Sequence, residues 1–301
     1  MNIIFYGNFL GVGWDGSITD ENHIADALEN FDCNVYKVQR EDNSTLANFP
    51  ADFILLAQWD GYPEDLLTRL KYKYNCPIVY WAFDYQADGQ AWHERLVNQS
   101  DLYLSKRIAD SKYPHWQWLS QDFTPNFLER MQPNLNKDID ILFTGSYLPW
   151  ATERNETLKA VDERYNLVIY SVTPDQWKEK GFKNVNGPAM DYMLPKLISR
   201  AKINLSIDHT IEAGYWSDRN AQIMACGGFV LFRHVPLSTA IFKSNIVYFY
   251  DKESCFTQLD YWLSNDEDRE NLASLGYDFA KLNMTATERV ADLLNILKGI
   301  V

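Results

Sequence analysis

The sequence predicts an α/β protein built from two doubly wound, Rossmann-like parallel-sheet domains facing a cleft. Three observations carry this. Short apolar runs alternate with amphipathic helical stretches along most of the chain, the pattern of a parallel sheet flanked by helices. The runs are apolar throughout rather than every second residue, as strands buried on both faces must be. The rhythm also stops and restarts near the middle of 301 residues, a length that suits two domains of roughly 100 to 200 residues each.

The first run, NIIFYG at 2–7, ends in glycine and passes through a glycine-containing loop to a helical pattern from Asp20 to Phe31. CNVYKV (33–38), DFILLAQ (52–58), an amphipathic stretch from Pro63 to Tyr74, PIVYWAFD (77–84), a helix over 91–98 and DLYLS (101–105) continue the series. TPNFLERMQPNLNK, residues 124–137, holds two prolines and three asparagines without periodicity and reads as a linker. The order then repeats: DIDILFTGS (138–146), a helix from about Glu153 to Tyr165, NLVIYS (166–171), the helical YMLPKLISRA, then the strands KINLSID (202–208), GFVLFR (228–233) and IVYFY (246–250). From Cys255 onward the pattern is mainly helical. The expected domains are 1–130 and 138–283, with a C-terminal helix at 284–301 packing back on the first.

Lysine and arginine number 28 against 41 acidic residues, a formal charge of −13 spread along the chain. Such a surface repels polyanions, so nucleic acid and anionic membrane are not the default partners. The four cysteines stand apart, without CxxC pairs or zinc spacing, and read as free thiols. The N-terminus lacks a signal-peptide pattern, and no run approaches the 18 or so apolar residues of a membrane span. A cytoplasmic setting is expected.

Two motifs invite readings that their context weakens. Gly11-x-Gly13-x-x-Gly16 matches a dinucleotide fingerprint, but that fingerprint begins in the turn leaving the strand and starts its helix within the motif. Here the strand ends near Gly7 and the helix begins only after a capping region at 17–20. A loop facing the cleft on the acceptor side is the functional alternative, with Gly13 for mobility, Trp14 to stack on a sugar and Asp15 as a base. Asp138-Ile139-Asp140 matches a metal-binding DxD, yet lies at the amino end of its strand, and a solvated strand start is the preferred reading. No metal is expected.

The strongest feature is GYWSDRNAQIMACGG at 214–228, followed by a strand. Ser217 or Asp218 can cap a helix whose first amides, with Asn220 among them, are available to an anion, and Arg219 adds a fixed positive charge. Gln222 projects one turn later, and Trp216 is available to stack on a sugar. The arrangement is a seat for a diphosphate or an ordinary helix-to-strand connection.

The C-terminal half resembles the glycosyltransferases of the GT-B architecture, above all the spore-maturation-protein-like (CgeB-like) branch of the group 1 family. The matching segments are DILFTGS with Arg154 after it, the turn at Asn186-Gly187, RAKINLSI (200–207), the Arg219 segment with ACGG, and Met284-Thr285 with Arg289. The resemblance implies that this domain holds a nucleoside-diphosphate sugar, UDP- or GDP-linked, as substrate rather than cofactor. It implies phosphate contacts at Gly145 and Ser146, assistance from Arg154, a turn at Gly187, and Arg219 stabilising the departing diphosphate. Where relatives carry a glutamate that grips the ribose hydroxyls, this chain has Gln222.

For the N-terminal domain the first candidate base is Asp84, at the carboxyl end of a strand, with Asp15 second. Asp84 reads equally as a loop or cap carboxylate. His23 on the first helix reads as a surface residue. The acceptor is expected to be a glycan or small molecule. A modified base in DNA is the alternative, and a non-catalytic nucleotide-sugar-binding protein or a dinucleotide-dependent oxidoreductase are the others.

Overall fold

The structure is a computed structural model that describes residues 1–10, 19–42, 48–84, 88–120, 136–189 and 193–299. The loop bearing Gly13, Trp14 and Asp15, the GxGxxG motif, and most of the expected linker lie outside these residues. Two separate six-stranded sheets result, and every strand pairing in both is parallel.

In the first unit, β1 (Asn2–Gly7) is followed by α1 (Asp20–Asn30), β2 (Asn34–Gln39) and β3 (Phe53–Ala57). Then come α2 (Leu66–Tyr74), β4 (Ile78–Trp81), α3 (Ala91–Gln99), β5 (Leu102–Ser105) and β6 (Trp116–Trp118). The strand order is β2-β1-β3-β4-β5-β6, so the chain reverses direction between β1 and β3. The apolar runs became strands because both faces are covered: β3, β4 and β5 are buried at every position. β6 was not foreseen, being an edge strand of three residues.

The second unit contains β7 (Ile139–Thr144), α4 (Thr152–Arg164), β8 (Leu167–Tyr170), α5 (Pro174–Glu179), β9 (Val185–Asn186), α6 (Met193–Arg200) and β10 (Ala201–Ser206). It continues with α7 (Arg219–Ala225), β11 (Val230–Arg233), α8 (Ser238–Phe242), β12 (Val247–Phe249), α9 (Lys252–Ser264) and α10 (Asp266–Asn283). Its order, β12-β11-β10-β7-β8-β9, reverses between β7 and β10. The last helix, α11 (Ala286–Lys298), belongs to the first unit and packs on α1.

Asp138 and Asp140 sit at the amino end of β7 with a cation each: Arg200 Nε and Nη2 donate to Asp138 at 2.8 and 2.6 Å, and Lys202 Nζ to Asp140 at 2.7 Å. Among the described residues no group of three His, Cys, Asp or Glu side chains is placed to hold a metal, and no helix is long and apolar enough to cross a membrane. All four cysteines are free thiols, and burial pushes Cys226 and Cys255 up to about 12.

His23 corrects the surface reading: it is buried on the inner side of α1, where burial lowers its pKa. A second histidine, His93, lies in a buried polar chain. Tyr103 Oη donates to Asp110 Oδ2 at 2.7 Å, and Ser105 Oγ donates to the same oxygen at 2.6 Å. Having given its proton to Asp110, Tyr103 accepts from His93 Nε2–H at 3.3 Å, which leaves Nδ1 to accept from Tyr80 Oη at 3.0 Å. The imidazole is thus held neutral.

Burial pushes His93 below its ordinary value of 6.5, against the opposing pull of Asp110 and Glu94. A depressed folded-state pKa means that the unfolded chain takes up the proton first as pH falls. Stability contributed by neutral His93 is therefore present above pH 6.5 and lost as pH drops toward the lowered value. The melting temperature of the wild type should fall between pH 7.5 and 5.5 more steeply than that of His93→Gln, which at pH 7.5 should itself be less stable by about 1–2 kcal/mol. Parallel pH profiles for the two proteins would contradict this assignment.

Candidate functional site

In open parallel sheets, ligands bind beyond the carboxyl ends of the strands at the point where the order reverses. In the second unit that point lies between β7 and β10, and the side chain of Arg219 spans it. Its Nε donates to the carbonyl of Thr144, the last residue of β7, at 2.9 Å. Its Nη1 reaches the carbonyl of Ile207 just past β10 at 3.5 Å and Ser217 Oγ at 3.1 Å. Asp208 Oδ1 stands 3.5 Å from the same Nη1 and also accepts from the Ser217 amide at 3.2 Å. The guanidinium lies over the ring of Phe143, 5.3 Å from its centre.

Beside it opens a cavity of about 230 Å³. Its floor is Thr144, Gly145, Ser146 and Arg219. Asp218 and Gln222 of the α7 segment form one side, and Tyr170, Ser171, Pro188 and Leu194 the other. Gln222 Nε2 donates to Asp218 Oδ2 at 2.5 Å, so the two present a single polar wall.

The loop after β7 is set by its own bonds. The Gly145 amide donates to the Tyr170 carbonyl at 3.0 Å, and its carbonyl accepts from Trp177 Nε1 at 3.1 Å. A Cβ at Gly145 would stand 3.1 Å from Phe143 and 3.3 Å from Arg219 Nη2, so a side chain there would crowd the guanidinium. Arg154 lies beneath this loop. It is buried, its Nη2 donates to the Ser146 carbonyl at 2.7 Å, and it faces the rings of Phe143 and Trp177. Burial pushes its pKa down to about 10, with repulsion from Arg219 adding to the effect. Asp208, which is buried, stands 3.5 Å from Arg219 Nη1 and also offsets the charge of Arg154.

The structure brings Gly145, Ser146, Asp218, Arg219 and Gln222 to one cavity. The other five expected donor-side residues, Arg154, Gly187, Trp216, Ser217 and Asn220, take different places. Trp216 is fully buried, edge-on to Phe242 with ring centres 5.4 Å apart, and offers no face to a sugar. Asn220 is also fully buried, because α7 packs on β10, β11 and α10. Arg154 supports the phosphate-side loop from below rather than lining the cavity. Gly187 follows β9 with open space where a Cβ would be. Neither Ser217 nor Asp218 caps α7 with its side chain; Ser217 Oγ is taken by Arg219 and Asp218 by Gln222. Asp84 is exposed just after β4, its amide donating to Gln58 Oε1 at 3.0 Å.

Residues 124–295, more than half of the chain, match the family described as glycosyl transferase-like. The chain belongs to that family. No curated protein matches this glycosyl transferase-like chain in sequence. Among solved structures, sucrose-phosphate synthase from Thermosynechococcus elongatus is similar with a TM-score of 0.68 at 11% identity, covering 99% of this chain and 98% of its own. An alpha-glucosyltransferase in complex with UDP and a 13-mer DNA reaches 0.71 at 13% identity, covering 99% of each chain. HepE from Anabaena in complex with UDP-glucose reaches 0.66 at 11% identity, covering 98% of this chain and 99% of its own. These likenesses show that the fold is that of GT-B glycosyltransferases.

Sequence reasoning passed over Asp208, the buried carboxylate that offsets the charge of Arg219. Its signal was a carboxylate directly after an apolar strand end. Asp208→Ala should destabilise the second unit by about 3 kcal/mol, since it strands a partly buried guanidinium. Asp138→Ala, which removes an exposed partner of Arg200, should leave the melting temperature unchanged. Equal shifts in the two variants would contradict the role given to Asp208.

Proposed function

We propose that the protein transfers a sugar from a nucleoside diphosphate, held by the second unit, to a hydroxyl acceptor held by the first. The observation that carries this reading is Arg219, fixed at the β7–β10 reversal beside a cavity and backed by a second buried guanidinium, Arg154. Such a floor is complementary to the diphosphate that departs as the glycosidic carbon is attacked, and it is organised before the charge develops. The two cations serve where other transferases place a metal. The Gly145–Ser146 loop lies against the phosphates, and the Asp218–Gln222 wall takes the sugar or ribose hydroxyls.

A UDP-sugar is the preferred donor, as UDP and UDP-glucose accompany similar structures, and a GDP-sugar is the second choice. The ordered motifs from DILFTGS to Arg289 favour the CgeB-like branch of the family. A glycan or small-molecule acceptor fits the formal charge of −13, and free thiols suit a cytoplasmic setting. The second reading, transfer to a modified base in DNA, is favoured by the likeness to a DNA-bound glucosyltransferase.

Calorimetric titration with UDP and GDP tests the donor site. Wild type should bind UDP, and Arg219→Ala should weaken binding by at least about tenfold, the loss of one charge-assisted contact. Arg219→Lys should fall between, because it keeps the charge and loses the planar fork. Equal affinity in all three proteins, each checked for an unchanged fold by circular dichroism, would overturn the proposed site.

A further inference from the structure

The second unit holds another cavity, of about 390 Å³, larger than the one beside Arg219 and of the size that takes a small molecule. Helix α4 builds one side of it. The inner face of α4 buries Arg154, Leu158 and Val161. Thr152, Asn155, Glu156, Lys159, Ala160 and Glu163 fall on the opposite face at 100° per residue, and all six line the cavity. Tyr147 and Phe182 supply an aromatic wall, Lys180 enters from the end of α5, and Lys252 from the start of α9. The two cavities share no lining residue.

The wall is braced from behind. Tyr147 and Phe182 both meet Trp177 edge-on, with ring centres 5.0 and 4.9 Å away, and the Tyr147 amide donates to Thr173 Oγ1 at 2.9 Å. Lys159 is fixed as well: its Nζ donates to the Gly181 carbonyl at 2.7 Å and lies over the Phe182 ring, 5.1 Å from its centre. Asn155 Nδ2 donates to the Leu148 carbonyl at 2.8 Å. Its Oδ1 is buried and has no hydrogen-bond partner among the described residues. A buried acceptor left open in this way calls for a donor that the chain itself does not supply.

Three lysines around one cavity run against a chain with 28 basic and 41 acidic residues, so the local charge favours an anionic ligand. Glu156 and Glu163 stand among those lysines and would repel a bare anion. The ligand therefore needs hydroxyl donors as well as negative charge, and the rings of Tyr147 and Phe182 suit the apolar face of a sugar. We propose that this cavity binds a phosphorylated sugar. The phosphate lies against Lys180 and Lys252, both of which are exposed, and the hydroxyl groups donate to Glu156, Glu163 and Asn155 Oδ1. The site lies wholly within the second unit and is independent of any donor bound at Arg219.

Calorimetric titration with glucose 6-phosphate, glucose and inorganic phosphate, each alone, tests the assignment. Glucose 6-phosphate should bind saturably at one site per chain. Glucose and inorganic phosphate should each bind at least about tenfold more weakly, since each lacks one set of charge-assisted contacts. The double variant Lys180→Ala, Lys252→Ala should lose at least about tenfold in affinity for glucose 6-phosphate on the same ground. Both side chains are exposed, so its melting temperature without ligand should stay that of wild type. Arg219→Ala should bind glucose 6-phosphate as wild type does. No saturable binding of glucose 6-phosphate would overturn the proposal, and so would inorganic phosphate or glucose binding as tightly. A loss in Arg219→Ala with none in the lysine variant would place the ligand in the cavity beside Arg219 and overturn it too.

Discussion

A guanidinium laid across the gap between two strand ends is the contact on which the second unit's site depends. Parallel sheets leave the last carbonyls of their strands without ladder partners, and at a reversal of strand order no neighbouring connection covers them. Arg219 answers both needs, taking the Thr144 and Ile207 carbonyls while Asp208 offsets its charge. The same side chain lies over the Phe143 ring and would be crowded by any side chain at position 145. The loop that would meet phosphate and the cation that would neutralise it therefore form one piece of structure. Behind them Arg154 is held by the Ser146 carbonyl and by aromatic rings, so the positive potential at the floor does not depend on mobile surface lysines.

The close of the α7 segment shows how the strand after it is held to the rest. At Gly228 an added Cβ would stand 2.5 Å from Ile198 and 2.7 Å from Asn204 Nδ2, so glycine lets α6, α7 and β10 meet. Packing of this kind fixes where α7 starts, and thereby where Arg219 and Gln222 point. The first unit uses the corresponding place differently. At the end of β1 a buried acid, Glu21 of α1, accepts from the Asn8 amide at 3.2 Å. Two topologically alike positions in one chain thus present opposite charges.

Much of this was legible in the sequence because strands covered on both faces must be apolar along their whole length. The long runs from NIIFYG to IVYFY were therefore visible, whereas β6 and β9, of three and two residues, were too short to leave a pattern. Arg219 and Gln222 were legible through local spacing on one short helix. Asp208 was not, since its importance comes from a side chain eleven positions later and from β7, far away in sequence. Tyr170, Ser171, Pro188 and Leu194 reach the cavity through strand order, which composition does not reveal. Trp216 was misjudged for the same reason: an aromatic beside a charged motif suggests stacking until Phe242 is seen to cover it. Glu21 was passed over, and only the glycine at the end of β1 shows where its side chain goes.

On the proposed function, Arg219 and the Gly145–Ser146 loop together form a diphosphate seat. A crystal structure of the protein soaked with UDP tests it most directly. The predicted result places the phosphates against the Arg219 guanidinium and the loop, with Asp208 still paired to Arg219 and the nucleoside beside Tyr170 and Pro188. Phosphate density elsewhere, with Arg219 bonded only to Thr144, Ser217 and Asp208, would contradict the claim.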